Sequence, residues 1–351
     1  MRVLTYLLPL LSLSTTRAAA DDAASHAPKS IHTLHQWPLG VWAENIAVRA
    51  NGHLLVTFVT PSASVHQLDP SNPPNTTDPA ATLLHAFPNA TQATGITELG
   101  STPDVFAVVA DSTIYTLDLR ASPPRVRRIA TIAAAGLLNG AAALPGTPLL
   151  LVADSQLGAI WRVDARTGAH SLLLRDPAMA PSAADPHLPF LGINGIRYGA
   201  DGFVYFNNSP RRWWCRVPVD PTTGDVRGPV QTLVEGVLAD DFAVRWEVEE
   251  GEVVGYLAGL NDNVVTRVTL DGEKEVVAGN LNSTVVAGAT AGAWGRTGET
   301  STTLFVTTGG GTGLPVNGTL GIRDGLERVS KITNFKKEVH MTESFANLWV
   351  S

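Results

Sequence analysis

Four polar residues recur at one phase of an internal repeat: Glu44, Asn139, Asn194 and Asp240, with Asp241 beside the last. Two carboxylates and two amide carbonyls give an all-oxygen set, which suits a hard cation such as Ca2+ or another divalent ion. Other chemistries find no support. There is no Ser-His-Asp order, zinc-ligand spacing, phosphate loop or dinucleotide fingerprint. The nine histidines are scattered, with no pair at ligand spacing. The single cysteine, Cys215, follows Trp213 and Trp214 and reads as a packed apolar residue rather than a nucleophile.

The elements that must position these residues are short strands. Leu137–Asp164 is one complete unit: Asn139-Gly140, a small apolar run, a Pro145-Gly146 turn, a buried strand, then a Gly158 turn into the alternating Ile160–Asp164. Related stretches begin at Glu44, Gly95, Asn139, Asn194, Asp240 and Thr290, spaced 44 to 55 residues apart. Repeats of about 40–50 residues with several strands each are the signature of propeller blades. The sequence therefore predicts an all-β, six-bladed β-propeller. Glycines 52, 168, 202, 224 and 272 read as hairpin turns. Ile31–Leu39 is expected to join the last blade beside Arg328–Phe335 and close the ring. Residues 70–80 and 176–190 read as loops, the second long enough to serve as a lid or binding loop.

Residues 1–20 read as a secretory signal peptide, with basic Arg2, a short apolar run and small residues before Asp21. Residues 21–351 are then expected to form one propeller domain in the secretory pathway. Asn75, Asn89, Asn282 and Asn317 open glycosylation acceptor patterns. The net charge of −7, without a basic block, argues against nucleic acid, and no stretch is long enough to span a bilayer.

The stretches ENIAVRANGHLLVT, LLNGAAALPGTPLLLVADS, INGIRYGADGFVYFNNS and ADDFAV resemble the six-bladed propellers of the gluconolactonase, regucalcin and luciferin-regenerating-enzyme superfamily. Strictosidine-synthase-like proteins are more distant relatives. The resemblance implies a metal bound by a first-blade Glu, a fourth-blade Asn and a fifth-blade Asp, here Glu44, Asn194 and Asp240. It implies a third-blade Asn, here Asn139, in the same pocket. Two features depart from the lactonase pattern: Asn45 rather than Gly-Pro follows Glu44, and Asp241 rather than Gly follows Asp240. More narrowly, the opening WPLGVWAEN, Trp37–Asn45, is similar to that of secreted fungal hetero-Diels-Alderases of tropolone–sesquiterpene biosynthesis, which join a quinone methide to a terpene alkene.

The two resemblances ask different things of one pocket. A lactonase needs a Lewis acid on the carbonyl and a base for water, for which Asp240 or Asp241 would serve. A cycloaddition catalyst needs no cofactor. It holds a polyketide or terpenoid substrate in one orientation and places donors on a polarised oxygen. Asn139, Asn194 and the Trp42 indole N–H are the expected donors. Trp37, Trp42, Phe190, Trp213 and Trp214 are the expected aromatic walls, while Trp161 and Trp294, inside strand patterns, are expected to pack between blades. The cyclase is the first reading and metal-dependent lactone hydrolysis the alternative. A non-enzymatic binding propeller comes third, because it would present an exposed recognition surface rather than axial carboxylates.

Overall fold

A computed structural model describes residues 30–71, 81–316 and 328–333. The proposed signal peptide, the 72–80 loop segment, Asn75 and Asn317 lie outside the described residues. Six four-stranded antiparallel sheets follow one another along the chain. Their first strands are Trp42–Val48, Ala93–Glu98, Leu138–Ala143, Ile193–Tyr198, Phe242–Glu247 and Ala289–Trp294. Each first strand touches the first strands of the two neighbouring sheets, and the sixth returns to the first, so these strands encircle an axis.

Closure is made as the repeat spacing requires. Ser30–Gln36 is the outermost strand of the sixth blade, paired antiparallel with Arg328–Thr333, so one blade is built from both ends of the described chain. The all-β, six-bladed propeller expected from the sequence is the fold observed. Among the described residues the helical content is one 3-10 turn, Pro177–Met179, and no helix is long and apolar enough to cross a membrane.

The core is divided among the blade interfaces. Val105, Ala107 and Val109 of blade 2 meet Leu138, Leu150, Val152 and Trp161 of blade 3, and five comparable clusters fill the other interfaces. Each fully buried Val or Leu contributes about 1.5–3 kcal/mol relative to exposure. Both faces of a sheet must be covered, so the clusters stabilise a closed ring rather than a single blade. Trp161 packs as expected and donates its indole N–H to the Asp154 carboxylate at 3.0 Å. Gly52 and Gly272 adopt φ of 91° and 95°, the left-handed backbone their hairpin turns need.

Candidate functional site

The site is set by a β-bulge at the start of each first strand. In blade 1, Ala43 pairs with Phe58 and Asn45 with Thr57, leaving Glu44 as the extra residue. The same break follows Ala93, Leu138, Ile193 and Ala289. In blade 5 the Asp240 N–H donates to Ala258 O, and the Ala258 N–H donates to Asp241 O, so two residues oppose one. A bulge re-aims a side chain out of the ladder. Here it re-aims Glu44, Thr94, Asn139, Asn194, Asp240 and Thr290, all of them buried. The equivalent residue in blade 2 is Thr94, not Gly95 as the repeat alignment placed it.

Bonds from these positions run around the axis from blade to blade. Thr290 donates to Ala43 O at 2.8 Å, Thr57 donates to Thr94 O at 2.6 Å, and Asn194 Nδ2 donates to Asp240 Oδ1 at 2.7 Å. Close approach explains the glycines that follow three of the bulge residues. A Cβ on Gly95 would lie 2.4 Å from Asn139 O, and one on Gly140 2.8 Å from Asn194 O. On Gly195 it would lie 2.2 Å from Asp241 Oδ1.

Three carboxylates and one guanidinium occupy this buried ring. Asp241 is fully engaged: Oδ1 accepts from the Phe242 N–H at 2.7 Å, and Oδ2 accepts from Asn45 at 2.7 Å and Arg197 at 2.8 Å. It holds three blades in register, and the role of catalytic base expected of it is corrected accordingly. Burial pushes its carboxyl up, opposed chiefly by the Arg197 charge. Glu44 and Asp240 have no such cation among the described residues. Burial drives the Glu44 carboxyl up to about 7, against the Trp42 indole N–H that donates to Oε2 at 2.6 Å, while the Asp241 charge adds to the rise. Asp240 is raised well above the usual carboxylate range, by burial first and then by the Glu44 charge. Two desolvated carboxyls that repel each other hold a proton between them near neutrality.

The residues expected to bind a cation are spent on one another. Glu44 is capped by Trp42. Asn194 turns its amide nitrogen to Asp240 and to Ser209 Oγ, at 3.0 Å, so its oxygen is not the atom facing Asp240. No cluster of three or more His, Cys, Asp or Glu side chains that could hold a metal ion occurs among the described residues. Asn194 is also not a free donor, since Ser209 and Asp240 take its amide hydrogens. The Asn139 amide nitrogen makes one hydrogen bond among the described residues, to Ser155 Oγ at 3.3 Å, and keeps its other hydrogen.

An apolar collar covers the same end of the ring. Leu188 and Leu191 from the loop after blade 3 pack with Leu238 and Leu260 of blade 5, against Trp42 and Leu137. Asn208 donates to Ala178 O and Ala180 O and pins that loop down. Gly309 and Gly313 of blade 6 bring backbone against the Trp42 ring, where a Cβ would sit at 3.1 Å. Trp42 therefore joins the collar to the acid pair below it.

The other aromatic expectations are corrected. Trp37 is buried edge-on against His35 and Phe58, between blades 6 and 1. Trp214 is buried and stacked on Tyr205 at 4.9 Å between blades 4 and 5. Trp213 packs between blades 3 and 4 under the Arg211 guanidinium. Both of these lie on a third strand, away from the axis. Phe190 belongs to the collar loop but is exposed. Asn89 and Asn282 are exposed. Cys215 is buried and its thiol is pushed up to about 12 by desolvation, which suits packing. Sequence reasoning missed Thr94, Asn45, Arg197 and the collar leucines.

Comparison with known proteins places this geometry in context. No family model matches the chain. A protein of Sarocladium schorii named "putative hetero-Diels-Alderase" is 28% identical over 333 residues, covering 83% of this chain and 81% of that protein. A Phoma protein of the same name is 29% identical, covering 83% and 90%. Among solved structures, the calcium-binding protein regucalcin from Agrobacterium tumefaciens superposes with a TM-score of 0.61 at 16% identity, covering 89% of this chain and 97% of that one. A luciferin-regenerating enzyme gives 0.58 at 15% identity, covering 87% and 95%. The chain thus resembles the regucalcin-like six-bladed propellers in fold and the hetero-Diels-Alderases in sequence.

Proposed function

We propose that the protein is a pericyclase that catalyses a hetero-Diels-Alder cycloaddition between a quinone methide and a terpene alkene. The observation that carries the reading is the apolar collar, joined through Trp42 to a buried acid pair and set beside the Asn139 amide. The two relatives named for this activity support it. In such a reaction one C–C and one C–O bond form together and no atom leaves, so neither a nucleophile nor a hydrolytic water is required. The collar residues Trp42, Leu137, Leu188, Leu191, Leu238 and Leu260 would hold the apolar partner. Orientation of two partners can supply about 7–11 kcal/mol of the barrier when the geometry is that of attack. The proton of the Glu44–Asp240 pair and the free Asn139 N–H would donate to the heterodiene oxygen, where negative charge develops. A carboxylic acid kept neutral by burial is suited to that donation.

The test is the product ratio from a quinone methide generated in situ with a cyclic terpene, against the uncatalysed background. Faster turnover with one stereoisomer in excess is expected. Wild-type protein that changes neither rate nor stereochemistry across several such pairs overturns the reading.

A further inference from the structure

A cleft lies between blades 2 and 3, with a volume of about 390 Å3. Strand direction puts it at the opposite end of the ring from the bulges. Its lining includes Leu99 and Val105, which flank the far turn of blade 2, and Pro148 and Ala165, at the matching end of blade 3. These residues give it an apolar floor. Its rim is cationic. Arg125 and Arg127 stand two residues apart on the outer strand of blade 2, hence on one face and about 7 Å apart. Arg120 and Arg166 complete the rim.

The four guanidiniums are unequally compensated. Arg120 pairs with Asp118 at 2.7 Å, and Arg166 lies 3.8 Å from Asp164. Arg127 donates to the neutral Ala165 carbonyl at 2.9 Å. Arg125 stands across the strand pair from Asp118, whose charge it shares with Arg120, and Arg127 forms no ion pair with a described residue. Four guanidiniums thus face two carboxylates, Asp118 and Asp164, which leaves an excess of positive charge on one apolar-floored cleft in a chain whose net charge is −7. Adjacent guanidiniums grip an oxyanion with paired, charge-assisted hydrogen bonds.

We propose that this cleft binds a small amphiphile with one oxyanion head. The head sits between Arg125 and Arg127, and the apolar body rests on Leu99, Val105, Pro148 and Ala165. The site is separate from the axial collar and its acid pair and does not depend on the reaction proposed for them.

Calorimetric titration of the full chain at low ionic strength, with decanoate, decanol and inorganic phosphate, tests the proposal. Decanoate is expected to bind at least ~10-fold more tightly than either of the others, because head and body each contribute. Replacing both arginines, Arg125→Gln with Arg127→Gln, is expected to weaken decanoate by ~10-fold or more. Both positions are exposed, and unchanged circular dichroism checks that the fold survives. Decanol binding as well as decanoate, phosphate binding as well as decanoate, or a double variant that binds decanoate like wild type each overturns the proposal. The last result would place the ligand in the axial collar instead.

Discussion

Replacing Glu44 by Gln tests the acid pair without substrate. The Glu44 carboxyl rises from 4.5 to about 7 on folding, because burial penalises the charged form. Below pH 4.5 it is protonated in both folded and unfolded chains and costs nothing. Between pH 4.5 and about 7 the unfolded chain releases this proton while the folded chain keeps it, so stability falls as pH rises. Above about 7 the full penalty applies, which at about 1.4 kcal/mol per pH unit comes to about 3 kcal/mol. Gln keeps the shape and can still accept the Trp42 N–H, but it cannot ionise. Stability of Glu44→Gln relative to wild type is therefore expected to improve by about 3 kcal/mol between pH 4.5 and pH 8. Asp240 loses a repelling neighbour in the variant and ionises more readily, which lowers its own penalty as well, so the gain is larger still unless Asp240→Asn is present in both proteins. Urea unfolding at four pH values in that range, read as the midpoint with an unchanged slope, measures it. A difference flat with pH to within about 0.5 kcal/mol, against the roughly 3 kcal/mol expected from the linkage, refutes the buried, uncompensated pair.

Three further outcomes are expected. Asn139→Ala should slow cycloaddition by up to ~10²-fold, as loss of an oxyanion-type donor does, with substrate KM little changed in steady-state assays. Gly195→Ala should lower the thermal midpoint, because its Cβ must displace Asp241 from Arg197 and Asn45; a cost of about 1–3 kcal/mol is typical of such overpacking. Chelator treatment should leave the product ratio unchanged, and calorimetry with Ca2+ should show no tight site at the axis; strong uptake lost in Glu44→Gln would reverse that expectation.

The fold was legible because six units share one spacing and each must bury both faces. Five bulge residues were legible for the same reason: the repeat marks Glu44, Asn139, Asn194, Asp240 and Thr290 at one phase. Thr94 escaped because Gly95 was aligned with the asparagines, although the shared polar-Gly pair, Thr94-Gly95, Asn139-Gly140 and Asn194-Gly195, carried the signal. Asn45, Arg197 and Asp241 could not be joined by any local pattern, since their bonds link residues 152 and 196 apart. The tryptophans were misplaced for a geometric reason. Composition shows that a ring is buried, but not whether its strand is the first or the third of a blade. Of the collar residues, Trp42, Leu137 and Leu238 share a phase, two residues before Glu44, Asn139 and Asp240, but Leu188, Leu191 and Leu260 lie in connecting segments outside it.

The charge state of the acid pair also separates the two chemistries that this propeller geometry could serve. Hydrolysis of a lactone needs an ionised base to take a proton from water, and its rate should climb as pH rises through the pKa of that base. Asp241 cannot be that base, because a backbone N–H, an amide and a guanidinium hold both of its oxygens. Burial holds Glu44 protonated up to about 7 and raises Asp240 well above the usual carboxylate range. What they offer there is an O–H donor. A reaction that uses the pair as donor should run on a plateau at low pH and lose rate as the pH passes about 7. The assay is kcat for cycloaddition from pH 5 to 9, corrected for the uncatalysed rate at each pH. Glu44→Gln should lower the plateau, and with the first proton of the pair gone its decline should move to the value set by Asp240 alone. A wild-type profile that rises through neutrality would assign the pair the role of base and remove the support it lends to the cyclase reading.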